Sequence, residues 1–314
     1  MVANFVSADY GYLCSPDGSE SSQVLFRASK NKEGYFMNED ILMDTQKAMD
    51  ILNKFYPNEE HVLVFNNATT HLKRADNALS ARKMPKGTSK PEKNWGVEVT
   101  ATAADGSALY DPGGKLVKTK VRMGDGLLAS GEAQSLYFPQ DHKDARLFKG
   151  MAVILCERGF IEESKLHVEC KGFKCLPGAT TCCCHCILFN QPDFVAVKSP
   201  LEITCKLQGV KVLFLPKFHC ELNFIEQCWG YAKRIYREFP ASFKEADLEK
   251  NVITPLDSVP LESMRRYAWR SWRFMMFYGW GLDRKLAAWT SKKYQGHHVI
   301  TEALMETIDR EAPK

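Results

Sequence analysis

The stretch VLFLPKFHCELNFIEQCWGYAKR, residues 212–234, decides how this chain is read. Four apolar residues, Val212 to Leu215, predict a strand. Pro216 stops it, and after a short loop the apolar residues resume at helical spacing. Ile225, Trp229, Ala232 and Tyr236 fall at i, i+4, i+7 and i+11, a continuous stripe for a core. Glu226 lies one step off that stripe, where a carboxylate looks out over the end of the neighbouring strand. Glu221, five residues back, would sit about 140° round a 3.6-residue helix, so the two acids do not serve one site from one face. By residue type alone, a helical Glu is most often a solvated side chain.

Composition sets the frame. The chain has 314 residues, 45% of them hydrophobic and 25% charged, which suits one large or two modest globular domains. A net charge of +4 and a pI near 8.4 permit a polyanionic partner without demanding one. No apolar run approaches the roughly 18 residues of a membrane span, and the first residues lack a signal-peptide layout. No membrane partner is expected. Eleven cysteines then predict a reducing compartment, with thiols free or metal-bound rather than paired as disulfides.

The N-terminal part reads as strand, strand, strand, helix, strand. MVANFVSADYGYL opens with strand-like residues at position 2, which implies that further chain precedes it. SPDGSE is a turn, and VLFRA and GYFM read as short strands around the turn KNKEG. Asn38 caps a helix with Glu39 and Asp40 in its first turn and Ile41, Thr45, Ala48, Leu52 and Phe55 at helical spacing. Pro57 ends it, and His61 to Asn66 is a strand running into NNATTH.

Two of these segments resemble one family. LPKFHCELNFIEQCWGYAKR is similar to the segment LPPYSPELNPIEQVWxxLK of mariner-like DDE transposases, and LVFNNATTH is similar to that family's LVFDNAxxH. The resemblance implies an α/β, ribonuclease-H-like fold, a mixed sheet flanked by helices. In it the first strand and the strand after the first helix lie side by side, each carrying an acid. Glu226 would then be the third metal-binding acid, with Asn66 at the second acid position and Asn4 at the first; Asp9 is the alternative for the first. Asn4 and Asn66 stand where the family has Asp. Such enzymes cut and join DNA with two Mg²⁺ (or Mn²⁺) ions held by three carboxylates. With one carboxylate left, ion binding is expected to be weak or absent and the domain inactive as written. The resemblance also implies DNA, specifically transposon ends, as partner, allows a homodimer, and places the chain in the nucleus. No helix-turn-helix module is visible, so sequence-specific DNA reading is not expected from this chain alone. The rival classes are a non-catalytic nucleic-acid-binding module and a zinc-stabilised interaction scaffold.

Between the second and third acid positions lies far more chain than compact members of that family have. Lys73, Arg74, Arg82, Lys83, Lys86, Lys90 and Lys93 face only Asp76 and Glu92, in a segment broken by Pro85, Gly87 and Pro91. It is either a solvated loop or a phosphate-contacting arm, with Lys83 and Lys86 as candidate contacts. Trp95 to Met123 alternates and has two Gly turns, predicting a β-hairpin or small meander. Phe148 to Arg158 predicts a short helix stopped by Gly159. In HVECKGFKCLPGATTCCCHCILF six thiols fall within seventeen residues: Cys170, Cys175, Cys182, Cys183, Cys184 and Cys186, with His167 and His185 close by. Thiolates at turn spacing suit a structural, tetrahedral Zn²⁺. Cys170 and Cys175 are the leading ligands and the later four form the pool that completes the set; buried free thiols are the alternative.

Ser199-Pro200 opens a further helix, which leads through Gly209 into the 212–215 strand. Leu261 to Tyr278 predicts a long helix with a buried stripe of Leu261, Met264, Ala268, Trp272 and Met275, while Arg266, Arg270 and Arg273 repeat on another face that could lie along DNA. The organisation expected is a core in two parts, 1–80 and 206–240, an insertion at 81–205 holding the basic loop, hairpin and cysteines, and a helical region at 241–314. The final segment, with His297, His298 and an acidic tail, is uninformative.

Overall fold

A computed structural model describes residues 1–27, 36–103 and 108–293. The KNKEG turn, the first half of GYFM, the first Gly turn of the 95–123 meander and the His297–His298 tail lie outside the described residues. In chain order the elements are strands β1 (Val2–Ala3), β2 (Val6–Ser7), β3 (Gly11–Tyr12) and β4 (Val24–Leu25), helix α1 (Asn38–Phe55) and strand β5 (Val62–Phe65). Strands β6 (Val97–Thr100), β7 (Lys118–Val121), β8 (Gly126–Leu127) and β9 (Ala133–Gln134) follow, with helices α2 (Met151–Glu157), α3 (Cys184–Phe189) and α4 (Pro192–Val195). The last part holds α5 (Pro200–Leu207), β10 (Lys211–Phe214), α6 (Ile225–Tyr236), α7 (Glu245–Asp257), α8 (Leu261–Gly279) and α9 (Arg284–Lys293). This is a mixed α/β chain with small sheets. None of its described helices is long and apolar enough to cross a membrane.

The chain forms two compact units: Met1–Lys73 with Pro200–Lys314, and Arg74–Ser199. The first unit is thus discontinuous in sequence. Its centre is the parallel pair β5–β10, in the register Val62↔Lys211 through Phe65↔Phe214. Side chains alternate across a strand, so Leu63 and Phe65 are buried while Val62 and Val64 are 44% exposed. α1 closes the buried face. Its Ile41, Thr45, Ala48, Met49 and Leu52 recur at helical spacing and are all buried, packing with Leu63, Phe65, Leu201 and Cys205. Each large apolar side chain so buried contributes about 1.5–3 kcal/mol.

The N-terminal strands do not extend this pair into one sheet. β1 pairs with β4 and β2 with β3, both antiparallel, and Cys14 bridges Ser21. The first segment therefore pairs at its start with the second segment, VLFRA, and folds back on itself at β2–β3, a curled arrangement rather than a flat ladder. Asn4 helps to cause it. Its Oδ1 accepts the Phe5 N–H at 2.8 Å, diverting a backbone donor from any neighbouring strand. The edge-to-face contact of Phe5 and Phe65, 5.9 Å between centroids, carries the packing between the first segment and β5.

Four local expectations are corrected. Asn38 is the first helical residue and not the cap; Met37 is the cap, its N–H donating to Asp40 Oδ2 at 2.6 Å, while Asn38 Nδ2 donates to Thr70 O. α2 starts at Met151, since Gly150 has φ 85° and Phe148 is spent on a β-bridge to Tyr137. On α6 the buried residues are Ile225, Cys228 and Ala232, with Trp229 half-buried and Tyr236 exposed. On α8 they are Ser263, Met264, Ser271, Phe274 and Phe277, leaving Trp269, Trp272 and Met275 more than 40% exposed. Small serines let α8 approach its neighbours, and the bulky residues read as core turn outward, where Trp269 and Trp272 stack at 4.6 Å.

The second unit is built around Leu136, Tyr137, Phe148, Met151, Ile154 and Leu155, all at 1% exposure or less. β6 and β7 form an antiparallel ribbon, Val97↔Val121 to Thr100↔Lys118, extended by the bridges Thr102↔Ala108 and Tyr110↔Leu116. A buried ion pair ties the end of α2 to α4, and the Leu127 N–H of β8 joins it at Asp193. Arg158 donates to both carboxylate oxygens of Asp193 at 2.8 and 2.7 Å, and to Gln134 Oε1 at 2.8 Å; the two side chains are 4% and 6% exposed. Gly126 leaves room for the pair: a Cβ there would lie 2.6 Å from Arg158 Nη2 and 2.8 Å from Asp193 Oδ2 and would displace them.

Burial pushes the Asp193 carboxyl up, but hydrogen bonds from Arg158 and the Leu127 N–H, with the guanidinium charge, outweigh it and hold the group below its ordinary value. A depressed folded-state pKa adds stability that is fully present above the unfolded value of about 3.9 and is lost as pH falls through the folded one. Asp193→Ala leaves a buried guanidinium unpaired and is expected to cost about 3–5 kcal/mol in denaturant unfolding at neutral pH. The difference from wild type should shrink as the medium becomes strongly acidic; a constant difference would contradict the role of this pair.

Candidate functional site

Strand β5 and the helix after strand β10 bring two sequence-distant residues together. Asn66 follows the last residue of β5, and Glu226 lies in the first turn of α6. The parallel β5–β10 register sends both strands out on the same side, the side on which open α/β sheets carry their sites. Asn66 Nδ2 donates to Glu226 Oε1 at 2.9 Å. On its other side, Asn223 Nδ2 donates to Asn66 Oδ1 at 3.0 Å. The amide of Asn66 is therefore fixed in orientation, with its NH₂ on the carboxylate and its oxygen engaged elsewhere. The Asn66 carbonyl accepts the Ala68 N–H at 2.8 Å and faces His71 Nδ1 at 2.6 Å, so the NNATTH turn holds the position. Glu226 also gains from its place in the first turn, where the helix N-terminus favours an anion.

Asn4 makes other contacts. Its Oδ1 accepts from the Phe5 N–H and from Ser22 Oγ at 3.1 Å, and its Nδ2 reaches Gln23 Oε1 at 3.5 Å. Among the described residues it makes no hydrogen bond to Asn66 or Glu226. Asp9 is exposed in the β2–β3 turn; its N–H donates to Ser7 Oγ and its carbonyl accepts from Arg265.

Glu221 is not on the Glu226 helix. It belongs to a separate 3-10 turn, Cys220–Leu222. Its Oε1 accepts from Tyr278 Oη at 2.6 Å and meets His219 Nδ1 at 2.8 Å, and its backbone carbonyl accepts from Ser271 Oγ at 2.8 Å. Burial pushes this carboxyl up, yet the bonds from Tyr278 and His219 and the Arg284 charge leave it below its ordinary value. Glu221 therefore anchors α8 to the loop before α6. Asn223, which orients the Asn66 amide, was not singled out in the sequence, although it stands in the quoted stretch three residues before Glu226.

A two-metal centre does not fit these groups. Mg²⁺ takes hard, preferably anionic oxygens, and the site offers one carboxylate beside an amide that presents NH₂ to it. Two carboxylates 2.9 Å apart would repel by about 6 kcal/mol at an effective dielectric near 20, so an acid at position 66 would need a proton or a cation between. The amide N–H of Asn66 meets Glu226 without either.

The cysteines are sorted by the fold. The Sγ atoms of Cys170, Cys175, Cys182 and Cys183 lie within 4.8 Å of one another, and those of Cys182 and Cys183 are 4.0 Å apart. Backbone bonds from Cys184 N–H to His167 O and from His185 N–H to Val168 O bring the two cysteine segments together. Of the six-cysteine pool, Cys184 stands outside the group and Cys186 at its edge, its thiol still within reach of those of Cys182 and Cys175. Cys184 is fully buried, its thiol against the carbonyl of Leu166 at 3.3 Å, and Cys186 turns to the carbonyl of Ala179 at 3.0 Å. Consecutive residues cannot all point one way, which is why only part of the CCCHC run converges. A tetrahedron with metal–sulfur bonds of about 2.3 Å has edges of about 3.8 Å, so the four thiols need only a modest contraction to hold an ion such as Zn²⁺. Hydrogen bonds received from neighbouring thiols, Cys175 foremost, lower the Cys182 thiol, while Cys170 is pushed up to about 12 chiefly by its bond to Cys182. A cavity of about 360 Å³ beside the group, lined by Cys170, Cys175, His185 and Phe189 among others, opens it to entering ions.

The basic residues divide in the same way. Lys83 is exposed, whereas Lys86 donates to the carbonyls of Lys165 and Leu166. Arg266 bonds Ser263 Oγ, and Arg270 and Arg273 lie over the rings of Phe274 and Phe277. None of the three arginines has an ion-pair partner among the described residues.

No protein-family model matches the chain, and no solved structure matches it. Over 67 residues it is 41% identical to a protein described as the FAD-dependent monooxygenase nvfK of Aspergillus novofumigatus (strain IBT 16806). The match covers 21% of this chain and 13% of that protein, and the flavin chemistry in the description is that protein's. Gly124, Gly126 and Ala129 here have the spacing of a dinucleotide fingerprint, but Gly126 opens the β8–β9 hairpin and no helix, so no helix N-terminus is presented to a pyrophosphate there.

Purified protein is expected to carry a single tightly held zinc ion, measured by elemental analysis. Cys170→Ser and Cys182→Ser should each lose it, whereas Cys184→Ser should keep it. Zinc retained by the Cys182 variant would show that a different set of thiols binds.

Proposed function

We propose that this chain is a transposase-derived module of the mariner-like DDE class, built on a ribonuclease-H-like core, that no longer cleaves DNA and acts by binding it. One observation carries the reading: Asn66, just past the end of β5, meets Glu226, in the first turn of the helix that follows β10, with an amide N–H in contact with the carboxylate. The dense likeness of residues 215–234 and 63–71 to the family's motifs supports the class. The asparagines at 4 and 66 support the loss of cleavage, since two charges that would hold the metal pair are gone. Each such charge near a divalent ion is worth several kcal/mol even at an effective dielectric near 20. DNA as partner, through Lys83 and the Arg266, Arg270 and Arg273 flank, and a nuclear location follow from the same reading.

The cysteine group favours a second role for the 74–199 unit alone. A bound metal there would contribute folding energy to loops with little core of their own, which suits a scaffold as well as a DNA-binding element.

The test is strand cleavage of a transposon-end duplex with Mg²⁺ or Mn²⁺. The wild-type chain should give none above background, and Glu226-dependent cleavage would refute the loss of activity. The Asn4→Asp/Asn66→Asp double variant should gain Mn²⁺ affinity that Glu226→Gln removes. A double variant that folds yet binds no metal would remove the assignment of these three positions to one site.

A further inference from the structure

From Arg82 to Arg122 nine basic residues stand against four acidic ones, so this segment alone carries more positive charge than the net +4 of the whole chain. Its named strands form the β6–β7 ribbon. One side of the ribbon faces the unit's core, where Trp95 and Val97 pack. In the register Val97↔Val121, Glu98↔Lys120, Val99↔Thr119, Thr100↔Lys118, alternation puts Lys118 and Lys120 on the side opposite Val97 and Val121. Both lysines are exposed, as are Lys90, Lys93 and Lys115 nearby in sequence.

What holds the two ammonium groups is neutral. Lys118 Nζ donates to Thr100 Oγ1 at 2.9 Å and Lys120 Nζ to the Asn94 carbonyl at 3.3 Å. Glu98 sits directly across from Lys120, yet no ion pair joins them, and among the described residues none of these five lysines has a carboxylate within ion-pair distance. An ordinary solvated lysine is free to wander; these two are positioned by neutral groups, with no ion pair among the described residues. Residues two apart on a strand are about 7 Å apart, so the cations form a short row along an element of the kind that fits the DNA major groove.

We infer that the exposed face of the β6–β7 ribbon, led by Lys118 and Lys120, binds the phosphate backbone of duplex DNA independently of sequence. The partner's class rests on the proposed function above; the surface is a new one, distinct from the loop and helix residues named there. Lysine is a compact point charge without the planar fork that reads base edges, so the contact supplies affinity and position and no base preference.

The experiment measures binding of the full chain to two labelled duplexes of unrelated sequence across a salt series. Each phosphate contact contributes about −0.9 to the slope of log Kobs against log salt. Lys118→Ala/Lys120→Ala is expected to weaken binding to both duplexes equally and to reduce the slope by about 2, with zinc content and melting temperature unchanged. Lys118→Arg/Lys120→Arg should keep the wild-type slope. A folded alanine variant with wild-type affinity and slope would overturn the inference while leaving DNA as partner. Absence of duplex binding by the wild-type chain would overturn both.

Discussion

The contact between the Asn66 amide and the Glu226 carboxylate governs the first unit. It joins the end of β5 to the start of α6, two pieces separated by more than half the chain. Its geometry leaves little freedom, because Asn223 holds the amide oxygen and so decides which end of the amide faces Glu226. A carboxylate at position 66 could not occupy the same place unaided, since it would bring a second negative charge to hydrogen-bond distance of the first. The neutral amide lets the site close on itself. A buried or half-buried polar group satisfied by its neighbours is stable as it stands, and this one needs no ion to be so.

The second unit obeys a different constraint. Its aromatic and aliphatic centre is dry, yet the loops from Glu162 to Thr181 contain only short 3-10 turns and positive-φ glycines such as Gly172 and Gly178. Loops of that kind bury too little to hold their own shape. Two devices brace the unit: the Arg158–Asp193 pair, which ties the end of α2 to α4, and the convergence of four thiols, which fixes these loops. The first works by making its loss expensive rather than by adding much stability of its own. The second becomes strong only when a cation replaces the thiol protons.

How much of this could be read beforehand depended on whether a residue's role was local. α1, β5, α5 and α6 were legible because their apolar residues repeat at the period of the element, and Pro57, Pro216 and Pro200 mark boundaries by their own chemistry. α8 was misjudged on its buried face. Trp272 and Met275 have the size expected of core residues, but the helix instead buries Ser263 and Ser271, whose small side chains and, for Ser271, a bond to the Glu221 carbonyl permit close approach. That choice is made by the partner surface and leaves no mark in the helix's own sequence. Glu221 was placed on the wrong element for a related reason: the helix begins only at Ile225, and four residues of tight turn read like a helical turn. Glu226 and Asn66 were found through a motif, whereas Asn223 was overlooked because an asparagine that merely orients another has no pattern of its own. The cysteines were legible as a group and illegible as individuals, since which of four near-consecutive thiols converge depends on where α3 starts.

On the proposed reading, the substitutions at the site and the unpaired cations act in one direction. An acid-rich site repels a phosphodiester until metal ions reverse its charge, so the acidic form of such a domain should bind DNA in a metal-dependent way. Amides in place of two carboxylates remove most of that repulsion. The arginines over Phe274 and Phe277 then meet the polyanion without an opposing field from the site. Loss of cleavage and retention of duplex affinity are in this sense a single electrostatic change, made at two positions.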